Sequence, residues 1–265
     1  MLYYIKYYFR KWESSMERKL SRIPVMVLTA ILAVLAFCLR NNQLKTAFDA
    51  IGVIPGSGSL LIWIALLVIV LFAAYSFFLR GRKKYAAISS RHLPLMILTC
   101  AAALLLAVGS ILFLKSGASK ADVVLAVGGV LVAACWIGAG FFRFQAKRAP
   151  VVLFLIPAVF YLVELVLKFR LWTQDPVILD YCYDLGALIC TMCSLFHLTG
   201  YCFDKGSRRL SVFFSLSAVF FNAAAMAGSA ASEWMGCLAV ILWLLVNLWL
   251  LLRPGVSRPA PEESV

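Results

Sequence analysis

The chain contains little charge and no long polar stretch. Asp, Glu, Lys and Arg together make up 14% of its 265 residues, and hydrophobic residues make up 63%. Soluble domains have about 25% charged and about 45–50% apolar residues. The longest polar stretches are the first 22 residues and the last 13. A soluble fold of this length could not cover so much apolar surface, so the composition excludes a soluble domain.

The sequence also lacks the common catalytic motifs. Gly56-Ser57-Gly58 has neither the Lys nor the spacing of a phosphate-binding loop, and Gly-x-Ser-x-Gly and His-Glu-x-x-His are absent. Asp180-x-x-x-Asp184 matches only the end of the acidic motif of CDP-alcohol phosphotransferases, without the Asp-Gly and Ala-Arg elements that precede it. We therefore expect a protein that is not an enzyme and has no cofactor.

Apolar runs of about twenty residues predict a polytopic, all-α membrane helix bundle. Such a run crosses a hydrocarbon core of about 30 Å, and continuous apolarity without alternation excludes a transmembrane barrel. The sequence predicts eight transmembrane helices, at Ile23–Leu39, Ser59–Leu79, Leu93–Leu114, Asp122–Phe142, Val151–Phe169, Val177–Phe203, Leu210–Gly228 and Trp234–Leu252.

Basic residues alternate between the two sides of these eight spans. Nineteen of the 25 Lys and Arg residues fall in the amino-terminal segment, in alternate loops and in the tail, whereas six fall on the other side. The positive-inside rule then places both termini in the cytoplasm, and we expect a multi-pass protein of the bacterial cytoplasmic membrane. The net charge of +13 predicts contact with anionic lipid head groups at the cytoplasmic face and no nucleic-acid binding.

The amino-terminal segment, residues 1–22, is amphipathic. Ile5, Tyr8, Phe9, Trp12 and Met16 recur at helical spacing, with charged residues on the opposite face. This pattern predicts a helix lying in the cytoplasmic membrane interface, or alternatively a docking helix for a partner protein. Residues 23–252 form the predicted transmembrane domain, and residues 253–265 form a predicted disordered cytoplasmic tail.

An acidic group lies at the outer end of the sixth span. That run is longer than a bilayer requires, so its first residues extend outward and carry Asp175, Asp180 and Asp184, close to Trp172. One interpretation is a solvated helix end whose carboxylates lie near the positive end of the helix dipole. The other is an outward acidic lip that attracts a cation or a cationic ligand. Glu164 lies four residues before Lys168, which predicts an ion pair on the fifth span.

His197 is predicted to be the deepest ionisable side chain. With Cys190 and Cys193 it follows i, i+3, i+7 spacing on the sixth span, which allows a metal, redox or proton-relay role. One helix cannot surround a metal ion, and all eight cysteines lie in or beside apolar runs. We therefore predict a packed, hydrogen-bonded His, cysteines that act as small apolar residues, and no metal site.

Other polar and small residues in the spans predict helix packing. Asn222 and Asn247 lie near the middles of the last two spans and are expected to form interhelical hydrogen bonds. Small residues cluster in the fourth and seventh spans, which predicts close intramolecular packing or, alternatively, a homodimer face. They are Gly128, Gly129, Ala133, Ala134, Gly138, Gly140, Ala223, Ala224, Ala225, Ala227 and Gly228.

Two outward segments carry a family resemblance. They are Phe48-Asp49-Ala50-Ile51-Gly52 with Pro55-Gly56, and Trp172-Thr173-Gln174-Asp175-Pro176 continuing to Asp180-Tyr181; Gly206-Ser207-Arg208-Arg209 precedes an aromatic-rich helix. With these segments the chain resembles a group of multi-spanning membrane proteins of Gram-positive anaerobes. The resemblance implies the same architecture and no particular activity.

Two functions are consistent with these features. The first is a transport or ligand-binding component, for which the candidate binding residues are Trp172, Asp175, Asp180, Asp184, Glu164 and His197. The second is a non-catalytic scaffold or sensor subunit that contacts partner proteins through the amino-terminal helix and the basic loops. The sequence does not distinguish between them.

Overall fold

The computed structural model describes residues 22–46, 48–49, 52–53, 59–79, 84–85, 88–89, 92–115, 120–172 and 181–253. Apart from a two-residue antiparallel pair, β1 (Phe48–Asp49) and β2 (Gly52–Val53), the elements in these ranges are helices. The helices are α1 (Arg22–Thr46), α2 (Ser59–Phe78), α3 (Leu93–Lys115), α4 (Lys120–Phe144), α5 (Val152–Trp172), α6 (Cys182–Cys202), α7 (Arg208–Ala225) and α8 (Ala231–Leu251).

Each of these eight helices corresponds to one predicted span. Seven of the described helices, α1 to α6 and α8, are long and apolar enough to cross a membrane, which indicates a multi-pass integral membrane protein. The eighth, α7, is less apolar, so the prediction of eight crossings stays a prediction. The predicted interfacial helix, the tail beyond residue 253 and the first residues of the sixth span, 177–180, lie outside the described residues.

Helix α7 is less apolar because protein, rather than lipid, surrounds it. Thirteen of its eighteen residues are buried, and it packs against α1, α2, α6 and α8. Some of its polar side chains find partners inside the bundle: the hydroxyl groups of Ser215 and Ser194, on α6, lie 2.6 Å apart. The hydroxyl groups of Ser211 and Ser217 are buried without a hydrogen-bond partner among the described residues. Burial of a polar group in a low-dielectric interior costs least when the group is hydrogen-bonded. The central helix can therefore carry polar residues that a lipid-facing helix could not.

The helices that surround α7 expose apolar side chains. On α2, Trp63, Leu67 and Val70 are 69%, 62% and 66% exposed. A soluble protein would leave such a surface in water, whereas a bilayer solvates it. The exposed apolar faces are therefore the surface expected to contact lipid.

Small residues permit close approach between the helices, as predicted. A side chain at Gly128 would overlap the ring of Phe160 on α5, and one at Gly140 would meet Thr99 on α3 at 3.1 Å. Ala224, on α7, is fully buried. These contacts confirm intramolecular packing at Gly128, Gly140 and Ala224, whereas Ala134 is exposed.

The helices alternate in direction between two ends of the bundle, which we name for their content. The basic end is defined by cross-links between Arg143 and Asn247, Arg208 and Leu251, Arg209 and Leu79, and Arg148 and Asp204. The cavity end is defined by contacts between Leu44 and the position of Gly228, Arg40 and Tyr183, and Lys168 and Glu233. Helix α7 runs from the first end to the second.

Candidate functional site: a charged cavity at one end of the bundle

A cavity opens at the cavity end and continues between the helices. Its outer part, the vestibule, has a volume of about 580 Å³ and is lined by residues from α1 and α3 to α8, including Arg40, Asp122 and Arg170. Its inner part, the inner chamber, has a volume of about 120 Å³ and reaches Glu164 and Asn222. The two parts share lining residues, so they are adjacent. The shared residues are Phe113, Leu125, Lys168, Asp184, Ala225, Glu233 and Cys237.

Three helices supply the charged residues of the inner chamber. Glu164 and Lys168 lie one turn apart on α5, while Asp184 and Glu233 lie in the first turns of α6 and α8. The amino-terminal end of a helix carries a partial positive charge, which favours a carboxylate in the first turn by about 0.3–1 kcal/mol. Helix starts that converge on one cavity therefore concentrate acidic side chains there.

Lys168 connects two of these carboxylates. Its Nζ lies 3.0 Å from Oε1 of Glu164 and 3.8 Å from Oε1 of Glu233. The first contact confirms the ion pair predicted from the four-residue spacing, and the second links α5 to α8 across the cavity. With Asp184 included, three carboxylates and one ammonium group line the chamber.

Asn222 contributes a polar wall to the inner chamber. Its Nδ2 donates hydrogen bonds to Oγ1 of Thr191 at 3.0 Å and to the carbonyl oxygen of Ala218 at 2.8 Å. The first bond joins α7 to α6, which confirms the predicted interhelical role of Asn222. The residue is only 5% exposed, and it lines the chamber. Both of its hydrogen bonds use the amide nitrogen. Its carbonyl oxygen is left as an acceptor at the cavity wall.

Arg40 is a cavity residue that the sequence did not identify, because it directly follows the predicted end of the first span at Leu39. It is 4% exposed and lines the vestibule. Its guanidinium donates to Oε1 of Gln43 at 2.9 Å and lies 4.9 Å from the ring centre of Tyr183. No sequence signal marks this position, because Arg40 follows an apolar run as any flanking basic residue does.

The predicted site residues have different outcomes. Asp184 and Glu164 lie together in the inner chamber. Asp175 and Asp180 lie outside the described residues, as does the side chain of Trp172, the last residue of α5. The acidic lip is therefore described only at Asp184.

His197 lies apart from the cavity. Its ring stacks on Phe214 of α7 with centroids 5.3 Å apart and planes at 14°. It lies five residues before the end of α6, whereas Glu164 lies eight residues before the end of α5. The prediction that His197 is the deepest ionisable side chain in the membrane stays a prediction. Within the described residues, no group of three His, Cys, Asp or Glu side chains is arranged to hold a metal ion, and all eight cysteines are free.

The basic end is cross-linked by hydrogen bonds and an ion pair, whereas the cavity end is open. Asp204 follows α6; its Oδ1 accepts a hydrogen bond from the backbone N–H of Tyr85 at 2.8 Å, and its other oxygen pairs with Arg148. The hydroxyl of Tyr85 in turn accepts from the N–H of Ala149 at 3.1 Å. Asp204 therefore joins three connecting segments. The Tyr85 hydrogen bond, followed by Arg148, lowers the pKa of Asp204 below its usual value of 3.8.

We expect Asp204→Ala to lower the melting temperature more than Asp204→Asn. Asp204 has a φ of +56°, a conformation that costs Ala more free energy than Asn, and Asn keeps an acceptor for the Tyr85 N–H. Because the folded pKa is lowered, the carboxylate stabilises the fold above about pH 4 and loses this effect as the pH falls through the folded pKa. The difference between wild type and Asp204→Asn, measured by thermal unfolding in detergent, should be constant from about pH 7 to 5 and shrink below about pH 4. Equal melting temperatures of wild type and Asp204→Asn at pH 7 would contradict the proposed cross-link.

Comparisons with known proteins identified no similar protein. The chain matches no protein-family model, no curated protein and no solved structure. The resemblance to membrane proteins of Gram-positive anaerobes stays a prediction, and any function must be argued from the cavity itself.

Proposed function

We propose that this membrane protein binds a small ligand bearing a cationic group in the charged cavity, as a ligand-binding or transport component. The observation that carries the proposal is the inner chamber, in which Glu164, Asp184 and Glu233 face a single ammonium group, that of Lys168. A ligand ammonium group would meet several carboxylates in this lining.

The cost of charged groups inside a helix bundle supports a functional role. An ionisable side chain at the centre of a spanning helix costs roughly 2.5–3.5 kcal/mol, and such residues usually mark ligand or ion pathways. Glu164 is only 16% exposed, near the middle of α5. A structural ion pair would need only Glu164 and Lys168; two further carboxylates in a cavity of this size favour a binding site.

We further propose that all eight helices cross the membrane and that the cavity faces outward. Helix α7 supports this, because it connects the basic end to the cavity end even though it is less apolar than its neighbours. The basic end contains the loops that the positive-inside rule assigns to the cytoplasm, in the bacterial plasma membrane, next to anionic lipid head groups. Both termini are then cytoplasmic, and ligand enters from outside.

The two ends of the bundle differ in a way that suits transport. The cavity is open at one end, while the Asp204 and arginine contacts cross-link the other end. A carrier requires a site that is reachable from one side at a time. We infer no catalytic step, because no described group in the cavity forms a nucleophile–base pair of the known kinds.

Filling the inner chamber should abolish ligand binding without unfolding the protein. Gly236 lies on the chamber wall, and a Cβ built there meets nothing within 4 Å. We expect Gly236→Leu to remove a thermal shift produced by hexylamine in detergent, while the melting temperature without ligand stays near that of wild type. Gly236→Ala should give a smaller loss, because its methyl group occupies less of the chamber.

Two controls separate cavity filling from other effects. Ala134→Leu places the same isobutyl side chain on an exposed face of α4 and should leave the hexylamine shift unchanged. Hexanol has the same alkyl body without the charge and should give no comparable shift. If Gly236→Leu and wild type respond equally to hexylamine, the cavity is not the binding site and the proposal fails.

The alternative function is a scaffold or sensor subunit that binds a partner protein or a second copy of this chain. It depends on the amino-terminal segment and the basic loops, and residues 1–21 lie outside the described residues. No described contact favours it over ligand binding, so it stays a prediction.

A further inference from the structure

Arg209 is an exposed residue of the basic end whose side chain is oriented by contacts with α2. It lies in the first turn of α7. Its Nε donates a hydrogen bond to the carbonyl oxygen of Leu79, directly after α2, at 2.8 Å. Its guanidinium carbon lies 5.2 Å from the ring centre of Phe77, a cation–π contact. The guanidinium is therefore held at two points within the protein before any ligand binds.

The outer edge of the Arg209 guanidinium has no partner in the part of the chain that the structure describes. A guanidinium is planar and carries donors on Nε and on both Nη atoms. The bond to Leu79 uses Nε, and neither Nη atom forms a hydrogen bond or an ion pair with a described residue. The two Nη atoms present parallel N–H groups, which match two oxygen atoms of a phosphate. An oriented fork of this kind suits an oxyanion.

Apolar side chains beside Arg209 indicate that a lipid supplies this oxyanion. Phe77 is 61% exposed, and Leu210, the next residue after Arg209, is 44% exposed. Helix α2 is long and apolar enough to cross a membrane, so its end lies where hydrocarbon gives way to head groups. A phospholipid has its phosphodiester at this depth and its acyl chains directly beside it. A soluble phosphate would use the guanidinium alone and leave the apolar surface uncovered.

The charges around Arg209 favour a head group with a net negative charge. Among the described residues of the basic end, the one acid is Asp204, and it is paired with Arg148. Lys147 and Lys205 are exposed at the same end. Basic residues at the membrane surface attract anionic lipids. A zwitterionic head group brings its own cation close to these lysines, whereas an anionic head group does not.

We propose that Arg209 forms a specific binding site for an anionic phospholipid. The outer edge of the guanidinium binds two phosphate oxygens, and an acyl chain lies against Phe77. The rest of the head group lies toward the basic surface of the connecting segments. This site requires neither the cavity at the other end of the bundle nor a cationic ligand, so it stands independently of the proposed function.

Native mass spectrometry of the full-length protein in detergent measures the Kd of the first bound lipid. The probes are dioleoyl phosphatidylglycerol and dioleoyl phosphatidylcholine, which share their acyl chains and differ in net charge. Arg209→Gln should raise the Kd for phosphatidylglycerol about tenfold, as the loss of one bidentate charge-assisted contact would give. Arg209→Lys keeps the charge without the planar fork and should raise it about threefold. The Lys variant carries the test if the Gln variant does not fold.

Lys147→Gln provides the matched control. It removes one exposed positive charge from the same end and should leave the Kd for phosphatidylglycerol unchanged. An equal rise in Lys147→Gln and Arg209→Gln would indicate general charge attraction and overturn the site, as would wild-type affinity in both Arg209 variants. Equal affinity of the wild type for the two lipids would overturn the anionic preference.

Glycerol phosphate distinguishes a lipid from a soluble phosphate. It carries a phosphate without acyl chains, so we expect it not to displace phosphatidylglycerol from the wild type at concentrations comparable to that of the lipid. Displacement at comparable concentrations would show that the acyl chains contribute nothing and would overturn the assignment to a phospholipid.

Discussion

Replacement of Asn247 by Leu is expected to lower the free energy of unfolding by about 3 kcal/mol, because it leaves a buried charge without its hydrogen-bond partner. Arg143 is 4% exposed, and its guanidinium donates to Oδ1 of Asn247 at 2.7 Å. Its other neighbours are aromatic rings, with Phe154 at 5.0 Å and Trp243 at 5.9 Å. These ring faces supplement the hydrogen bond but cannot replace it.

The double variant tests this cause directly. Arg143→Met removes the charge, so Arg143→Met/Asn247→Leu should recover most of the stability lost in Asn247→Leu, with an apolar pair in place of the polar one. Unfolding of the four proteins in mixed micelles gives the coupling free energy, which we expect to be about 2 kcal/mol. If the two single losses simply add in the double variant, the hydrogen bond does not carry the effect.

Trp136→Ala is expected to destabilise the bundle by about 4 kcal/mol. Trp136 is fully buried and Trp243 is 1% exposed, and their rings stack with centroids 4.9 Å apart and planes at 13°. This stack joins α4 to α8, and truncation would leave a cavity that neither helix can close, because each is held by other neighbours. Trp136→Phe should cost less, because an aromatic face remains for Trp243.

Trp63 provides the matched control for the same truncation. It lies on α2 and is 69% exposed, on a surface that detergent or lipid covers. Trp63→Ala should therefore change the stability measured in the same micelles by less than about 0.5 kcal/mol. Similar losses at both positions would mean that detergent contact, rather than interior packing, determines the stability of this bundle.

Helix positions were largely predictable because lipid imposes a simple rule. A segment that contacts hydrocarbon must be apolar over about twenty residues, whatever its neighbours are. The prediction for the third span, Leu93–Leu114, ends one residue before the observed end of α3 at Lys115. The prediction for the first span was less accurate, because α1 continues to Thr46 rather than ending at Leu39. The polar residues beyond Leu39 belong to the cavity end and not to a loop.

The candidate site was predictable only where its residues are neighbours on one helix. The pair of Glu164 and Lys168 follows from helical spacing alone. The approach of Glu233 to Lys168 and the position of Arg40 at the vestibule join residues that lie 65 or more positions apart in the chain. Nothing in their local sequence distinguishes them from ordinary flanking charges.

The sequence by itself determined that the chain is a membrane-type helical bundle with charge concentrated toward one set of loops, because both properties follow from composition along the chain. Only the tertiary structure decided where polarity lies inside the bundle. It makes α7 the central helix, whose Ser215 and Asn222 form hydrogen bonds with α6, and it gathers the charges of α5, α6 and α8 around one cavity. The physical reason is that burial and pairing depend on helix rotation and neighbours, which one-dimensional hydropathy does not contain.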